Sequence, residues 1–435
     1  MLVGEIFKFY REKNGISQSN LSKEICCKTY ISRFEGGKVS ISPEILSKLT
    51  ERLGIDLNKE MKALHHIEQR LKDWDLAIIM QNSIQIEEIK LELENIPFIK
   101  ASKYAVYYHL LTARYYLHKK MLHETKSLIE YADKNFRTIS DFEKNLLLHI
   151  KGMYCISTYR TTTSEDFRAA ARILKQINIE EYKNEEYYYH LALGYHYARG
   201  KVLAYTYAQK ANDYFIKTRN YLQAINAQTL MLMQFESEND IDFMELIESY
   251  MNLIHNCESL GANEKKLILL NNLGVEYFKR KEFVQAARYF EKSLHMRDHS
   301  IYYLRRFYNY IESCSEGKLL NKENLLEEIR KGIALAKTHN SPIHLTLFNL
   351  LLLNCKKNRS EYFDYLAKVA IPQFASTNNV FYYEQYGKKL YKYYMELGQY
   401  KEAIELIQFF KDIGNQRDIH IPIEANQVKA EMTWI

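Results

Sequence analysis

Leu270-Asn271-Asn272-Leu273-Gly274-Val275-Glu276-Tyr277, followed by Phe283, Ala286, Phe290 and Ser293, is the stretch whose spacing decides the fold. Apolar residues recur every three to four positions on both sides of a short break, which predicts two helices folded back on each other. Gly274 lets the second helix come close, Ala286 fills the crossing point, and Tyr277 and Phe290 pack between hairpins. One such hairpin cannot bury its apolar face alone, so copies are expected along the chain.

Weaker copies are present at Ala113-Tyr116…Thr125…Ile129…Ala132, at Leu390-Tyr391…Tyr394…Ala403…Ile407…Phe410 and, compressed by two residues, at Leu193-Gly194…Tyr197…Ala204…Ala208…Ala211. The pattern resembles the tetratricopeptide repeat. Its period of about 34 to 40 residues suggests roughly nine hairpins between residues 66 and 413. Pro97 after a helix, Ser341-Pro342 before one and Pro372 near another end support that register. Only 15 Gly and 5 Pro occur in 435 residues, so an all-α chain is expected. Most of the 36 tyrosines then read as packing between repeats rather than as a platform for a cofactor or a base.

The first sixty residues carry a different pattern. Phe7 and Tyr10 mark an apolar helix face that ends at Asn14-Gly15. Ser17 caps a second helix, Gln18 to Ile25, with Leu21 and Ile25 inward. After a turn at Cys26-Cys27, a third helix from Lys28 to Glu35 buries Ile31 and Phe34 and stops at Gly36-Gly37. Ser42-Pro43 starts a fourth, whose Ile45, Leu46, Leu49 and Leu53 close the core. This string, from Arg11 through Gly15-Ile16-Ser17-Gln18 and Ile31-Ser32-Arg33-Phe34-Glu35 to Gly54, resembles the Cro/repressor-type helix-turn-helix family. Cys27 departs from the small or polar residues common at that junction. The resemblance implies that the third helix enters the major groove, with Lys28, Thr29, Ser32 and Arg33 facing DNA and Tyr30 at the edge. Gln18 is placed to bond a phosphate. The plainer alternative is a small helical bundle with solvated charges.

Charge alone does not argue for nucleic acid. The net charge is +6 overall, and residues 1–60 hold ten basic and eight acidic side chains. Six scattered cysteines and no secretory segment at Met1 point to a reducing compartment, hence the cytoplasm. The adjacent Cys26 and Cys27 invite a thiol switch, but adjacent cysteines have poor disulfide geometry, and a small buried packing role is the simpler reading. The apolar run Ile343–Cys355 is too short for a membrane span and reads as a buried helix.

No catalytic motif is found. Gly194…Gly200-Lys201 misses the phosphate-binding loop in spacing and in its next residue, Val202, and His65-His66 reads as a solvated helix face. No cofactor, metal site or enzymatic activity is expected.

A repressor-like head followed by a tetratricopeptide array is similar to the peptide-responsive quorum-sensing regulators, the group that includes Rap, Rgg, NprR, PlcR and PrgX, and above all to the NprR/PlcR type. The resemblance implies a DNA-binding head at 1–58, a connecting helix at 59–74, a right-handed superhelical array at 75–417 and a cap or tail at 418–435. It also implies a homodimer on a palindromic operator and a short signalling peptide in the inner groove. That groove is lined by the first helix of each hairpin, and asparagine can both donate to and accept from a peptide backbone. Asn271, Arg305, Asn309, Asn349, Lys388 and Lys392 are the candidates, the basic ones for a peptide carboxylate. Three classes stay open: a peptide-gated transcription factor, a scaffold that captures a response-regulator protein, and a ligand-independent dimeric repressor. Deleting residues 1–60 separates them, because the scaffold keeps its activity and the other two lose theirs.

Overall fold

The structure is a computed structural model that describes residues 2–96, 99–136, 139–158, 168–235, 240–294, 301–377 and 379–416. Pro97 and the tail 418–435, with Pro422 and Trp434, lie outside the described residues. Among the described residues every regular element is helical.

The head is four helices: α1 Leu2–Lys13, α2 Gln18–Ser22, α3 Lys28–Glu35 and α4 Pro43–Leu53. Phe7, Leu21, Ile31, Phe34, Leu49 and Leu53 form its core, with Ile25, Cys26, Ile45 and Leu46 packed against it. Ser17 accepts from the Asn20 amide at 3.1 Å and Ser42 from that of Ile45, with Pro43 in the first turn. One expectation fails. The second helix stops at Ser22 rather than Ile25, because Glu24 adopts φ +62° and Arg52 of α4 donates to the carbonyls of Leu21 and Lys23, ending the helix from outside.

The remaining helices run in chain order as α5 Leu57–Ile79, α6 Ser83–Glu94, α7 Ala105–His118, α8 Leu122–Asn135, α9 Asp141–Thr158, α10 Ala169–Leu174, α11 Ile179–Tyr182, α12 Tyr187–Tyr197, α13 Lys201–Lys217, α14 Tyr221–Leu232, α15 Asp240–Ser259, α16 Asn263–Lys279, α17 Phe283–Ser293, α18 Ile301–Glu316, α19 Lys322–Thr338, α20 Pro342–Cys355, α21 Arg359–Tyr365, α22 Ile371–Ser376, α23 Val380–Glu396 and α24 Tyr400–Gln416. They pair consecutively as hairpins. The segment 59–74 and the start of the array are one helix, α5, whose Ile67, Leu71 and Trp74 are buried. In the hairpin α16–α17, a Cβ on Gly274 would lie 2.7 Å from the Phe290 ring, so only glycine admits that ring. Gly387 of α23 seats Phe410 of α24 in the same way. Ala286 and Phe290 are buried as the spacing required. Pro372 does not end a helix. A π-turn at Leu366–Ala370 joins α21 to α22, and this widened turn precedes the proline, which has no N–H to return to the turn before it.

The chain divides into two compact units, the described parts of Met1–Ser157 with Ala170–Leu191, and those of Thr158–Ala169 with Ala192–Ile435. In the first unit the first helices of successive hairpins are tied by buried polar groups. Arg114 of α7 is 1% exposed and bridges Asp75 of α5 at 2.9 Å and Glu186 before α12. Beside it His149 of α9 bonds the Tyr182 hydroxyl at 2.8 Å and the His190 imidazole at 2.9 Å. Burial, reinforced by neighbouring positive charge, holds His149 well below its usual range and lowers His190 to about 3.

Two outcomes follow. Arg114→Ala leaves Asp75 and Glu186 buried without their counter-ion and should lower the unfolding free energy by about 3–5 kcal/mol, read by urea denaturation. A loss under about 1 kcal/mol would show that the triad sits in solvent. Because both histidines stay neutral when folded and bind protons when unfolded, stability should fall as pH drops below about 6.5, by up to about 1.4 kcal/mol per pH unit for each. Denaturation midpoints of His190→Asn should show a shallower slope; an unchanged slope would exclude His190 as its source.

Candidate functional site

The recognition surface is built by two opposed demands on α3. Ile31 and Phe34 are buried, so the other face must point outward. Lys28, Thr29, Ser32 and Arg33 are exposed. Among the described residues their side chains make no hydrogen bond, which leaves their donors free for a duplex. Tyr30 is half-buried, and its hydroxyl donates to the Ser40 carbonyl at 2.9 Å, which fixes the ring at the rim.

Beneath this face lies a network that the sequence did not announce. Arg11 of α1 donates to both carboxylate oxygens of Glu35, at 2.6 and 2.9 Å, and both residues are buried. Gln18, expected to reach a phosphate, gives one amide N–H to Glu35 at 2.8 Å. Its second N–H makes no hydrogen bond among the described residues. The end of the recognition helix is thus clamped to α1 and to the start of α2 by one carboxylate. Cys27 is exposed rather than packed between helices, whereas Cys26 is half-buried. Burial raises the Cys26 thiol, which disfavours the reactive thiolate.

In the second unit the first helices of consecutive hairpins share polar contacts. Lys265 donates to Asn226 at 2.7 Å, and Asn309 donates to Asn271 at 2.9 Å. Other contacts skip repeats. The hydroxyls of Tyr308 on α18 and Tyr386 on α23 lie 3.0 Å apart, and Arg199, in the turn before α13, pairs with Glu384 of α23 at 2.8 Å. The tyrosine pair is buried in the core, whereas Arg199 and Glu384 are partly exposed and link hairpins far apart in sequence. Arg305, Asn309, Glu312 and Glu316 run down α18 at i, i+4, i+7 and i+11 as a stripe of exposed or half-buried residues.

The candidate residues divide accordingly. Asn271 and Asn309 meet, and Arg305 stands exposed on the same helix as Asn309. Lys388 and Lys392 are exposed on α23. Asn349 turns to its own hairpin, donating to the Tyr365 hydroxyl at 3.2 Å, so that donor is engaged. His66 is exposed but paired with Glu92 at 2.6 Å.

Residues 7–59 match the helix-turn-helix family model. Over 412 residues, 89% of this chain and 98% of the other, the sequence is 23% identical to the transcriptional activator NprA of Geobacillus stearothermophilus. The fold is similar to the apo form of the quorum sensor NprR from B. thuringiensis, with TM-score 0.65, 22% identity, and coverage of 80% of this chain and 99% of that one. It is also similar to NprR in complex with its cognate peptide NprX, at TM-score 0.63, 22% identity, 80% and 98%. A Rap protein complexed with competence and sporulation factor matches at TM-score 0.61, 16% identity, 81% and 100%. The chain therefore joins a helix-turn-helix domain to a tetratricopeptide-type helical array.

Glu35→Ala strands the Arg11 guanidinium in the head and frees Gln18. The expected loss is about 3 kcal/mol or more, measured as a drop in the denaturation midpoint of the head by hydrogen exchange on α1 and α3. Unchanged protection of those helices would show that the clamp is not holding α3.

Proposed function

We propose that this chain is a DNA-binding transcription regulator whose array binds a short signalling peptide, and that the peptide changes how two copies are held on a palindromic operator. The observation that carries the reading is the free polar face of α3 joined, in one chain, to an array whose first helices in the second unit share polar contacts. The activator NprA resembles this chain over nearly its whole length, and one solved structure of the same fold holds a cognate peptide. The work is done by binding and needs no catalytic group.

Lys28 and Arg33 contact bases or phosphates in this reading, with Thr29, Ser32 and Tyr30 beside them and Gln18 on the backbone. Asn271 and Asn309 exchange their mutual bond for bonds to the peptide main chain, a near-neutral trade in enthalpy that lets a peptide compete. Arg305, Lys388 and Lys392 supply positive charge for a carboxylate, and Asn349 joins only after leaving Tyr365. We place the protein in the cytoplasm, where its operator would be. Among the described residues no helix is long and apolar enough to cross a membrane. A ligand can shift the dimer only by binding one curvature of the array more tightly than another.

Purified full-length protein should retard duplexes tiled across its own locus at low ionic strength, and candidate peptides should alter that affinity. Indifference to every duplex, with and without peptide, would end the proposal. Arg33→Ala should weaken specific binding by about tenfold or more, corresponding to about 1–3 kcal/mol, without changing the melting temperature. Asn271→Ala with Asn309→Ala should weaken the peptide by about tenfold and leave peptide-free DNA binding intact; an unchanged peptide affinity would remove both asparagines from the groove.

A further inference from the structure

Glu312 is the unexplained group of the second unit. It lies one helical turn beyond Asn309 on the outward stripe of α18, half-buried, and it accepts from the Tyr308 hydroxyl at 3.0 Å. Tyr308 is itself held by the Tyr386 hydroxyl at 3.0 Å, so the carboxylate is positioned by a two-tyrosine relay between α18 and α23. Among the described residues Glu312 forms no ion pair. The cation nearest in influence, Lys389, has its ammonium 5.1 Å from the Tyr386 ring centroid instead of on the carboxylate. A partly buried carboxylate normally either finds a counter-ion or takes up a proton. Glu312 stands between these outcomes: burial pushes it up to about 7, against the lowering effect of the Tyr308 bond and of Lys389, with Glu316 raising it a little. Tyr362, raised to about 12 by burial first and then by Glu312 and Glu316, stays neutral and adds no charge.

We propose that Glu312 is the subsite for a cationic group of the ligand, either a Lys or Arg side chain or a free amino terminus, and that it sets which peptides the array accepts. This rests on the peptide reading above and adds to it the charge of the ligand. An arriving cation supplies what the protein withholds, an ionised partner at a site already aligned by Tyr308. Arg305, two turns back on the same stripe, would meet a carboxylate instead. The groove along α18 thus presents opposite charges about 10 Å apart, since seven residues at 1.5 Å rise separate them. A ligand with charges of both signs at matching spacing fits it, and one of uniformly positive or negative charge does not.

The test uses full-length protein and pentapeptide sub-libraries in which one position is fixed as Lys, Nε-acetyl-lysine, Leu or Glu, each made with free and acetylated amino termini. Retention by the protein is read by mass spectrometry. Wild type should retain the Lys or free-amine members about tenfold better than their acetylated counterparts, the scale of one hydrogen bond to a charged group. Glu312→Gln, which keeps the shape and can still accept from Tyr308, should abolish that preference. For amino-acetylated Lys peptides, retention should rise from pH 6 to pH 8 in wild type and stay flat in Glu312→Gln, because the carboxylate must ionise to bind. Retention that depends on Asn271 and Asn309 but ignores ligand charge overturns the assignment of Glu312 and leaves the peptide reading standing. A charge preference that survives in Glu312→Gln overturns it too. No retention of any sub-library overturns the peptide reading, and this subsite with it.

Discussion

The array depends on how closely two helices of a hairpin can approach, and in two hairpins that distance is set by an aromatic ring meeting a residue with no side chain. Phe290 against Gly274 and Phe410 against Gly387 are two instances from different hairpins. With the helices at that spacing, Ala286 and Ala403 at the crossing points are buried, and the larger rings are displaced into the seams between hairpins. Tyr277, for example, stacks on Tyr289 and meets Phe243 edge-on. Close spacing is what allows hairpin to stack on hairpin, and stacking is what gives marginal units a shared buried core within each unit.

Stacking fixes the outer packing, but it leaves the first-helix side to be settled by polar contacts. Asp75 with Arg114, His149 with His190, His196 with Gln234, Asn226 with Lys265 and Asn271 with Asn309 are separated by 39, 41, 38, 39 and 38 residues. Each pair joins the first helix of one hairpin to the first helix of the next or, for Gln234, to the turn that closes it. Their chemistry differs along the chain. In the first unit the groups are an ion triad and two neutral histidines, buried and costly to disturb. In the second they are amides, an imidazole and an amine, half-buried apart from the buried Asn271, and hydrogen bonds of this kind can be exchanged with little net change. A ligand would therefore find the exchangeable contacts in the second unit.

Much of this was legible in the sequence because the signals are local. The head announced itself through caps and glycines: Ser17, Ser42-Pro43 and Gly54 all do what their residue types imply. Sequence pattern makes the second helix three residues too long because Leu21 and Ile25 keep helical spacing whether or not the chain between them is helical, and the group that ends it, Arg52, comes from another helix. The clamp of Arg11, Gln18 and Glu35 is likewise tertiary; Arg11 and Glu35 were visible as parts of a motif but not as partners. Within the array the Gly274 template located the hairpins, and Asn271 with Asn309 emerged from register alone. The bond from Asn349 to Tyr365 on its own second helix is a tertiary contact that register does not reveal. Arg114 and Glu312 carry no local signal. The one trace of Arg114 is its distance from Asp75, which equals the repeat period, and a search for polar residues at that interval would have found most of the first-helix ladder.

The head is not tethered to the array by a loose connector. Its first helix α1 packs on α5, Glu5 accepts from the Lys103 amide at 3.3 Å, and Tyr10 is raised to about 12 by burial and by its bond to Glu60. The same helix α5 carries Asp75, locked to Arg114 and through it to Glu186. Recognition helix, clamp, α5 and ion triad thus form one chain of buried or partly buried contacts within the first unit. A rigid coupling of that kind has a consequence for any regulation of DNA binding. If the head were free to swivel, two copies could find their half-sites whatever the array did, and a ligand far away would have no leverage. With the head fixed to the first hairpins, the proposed pairing of two copies would place its recognition helices according to how the hairpins are held. In that proposal an operator that demands a set spacing, one turn of duplex or a multiple of it, would respond to small changes in that holding.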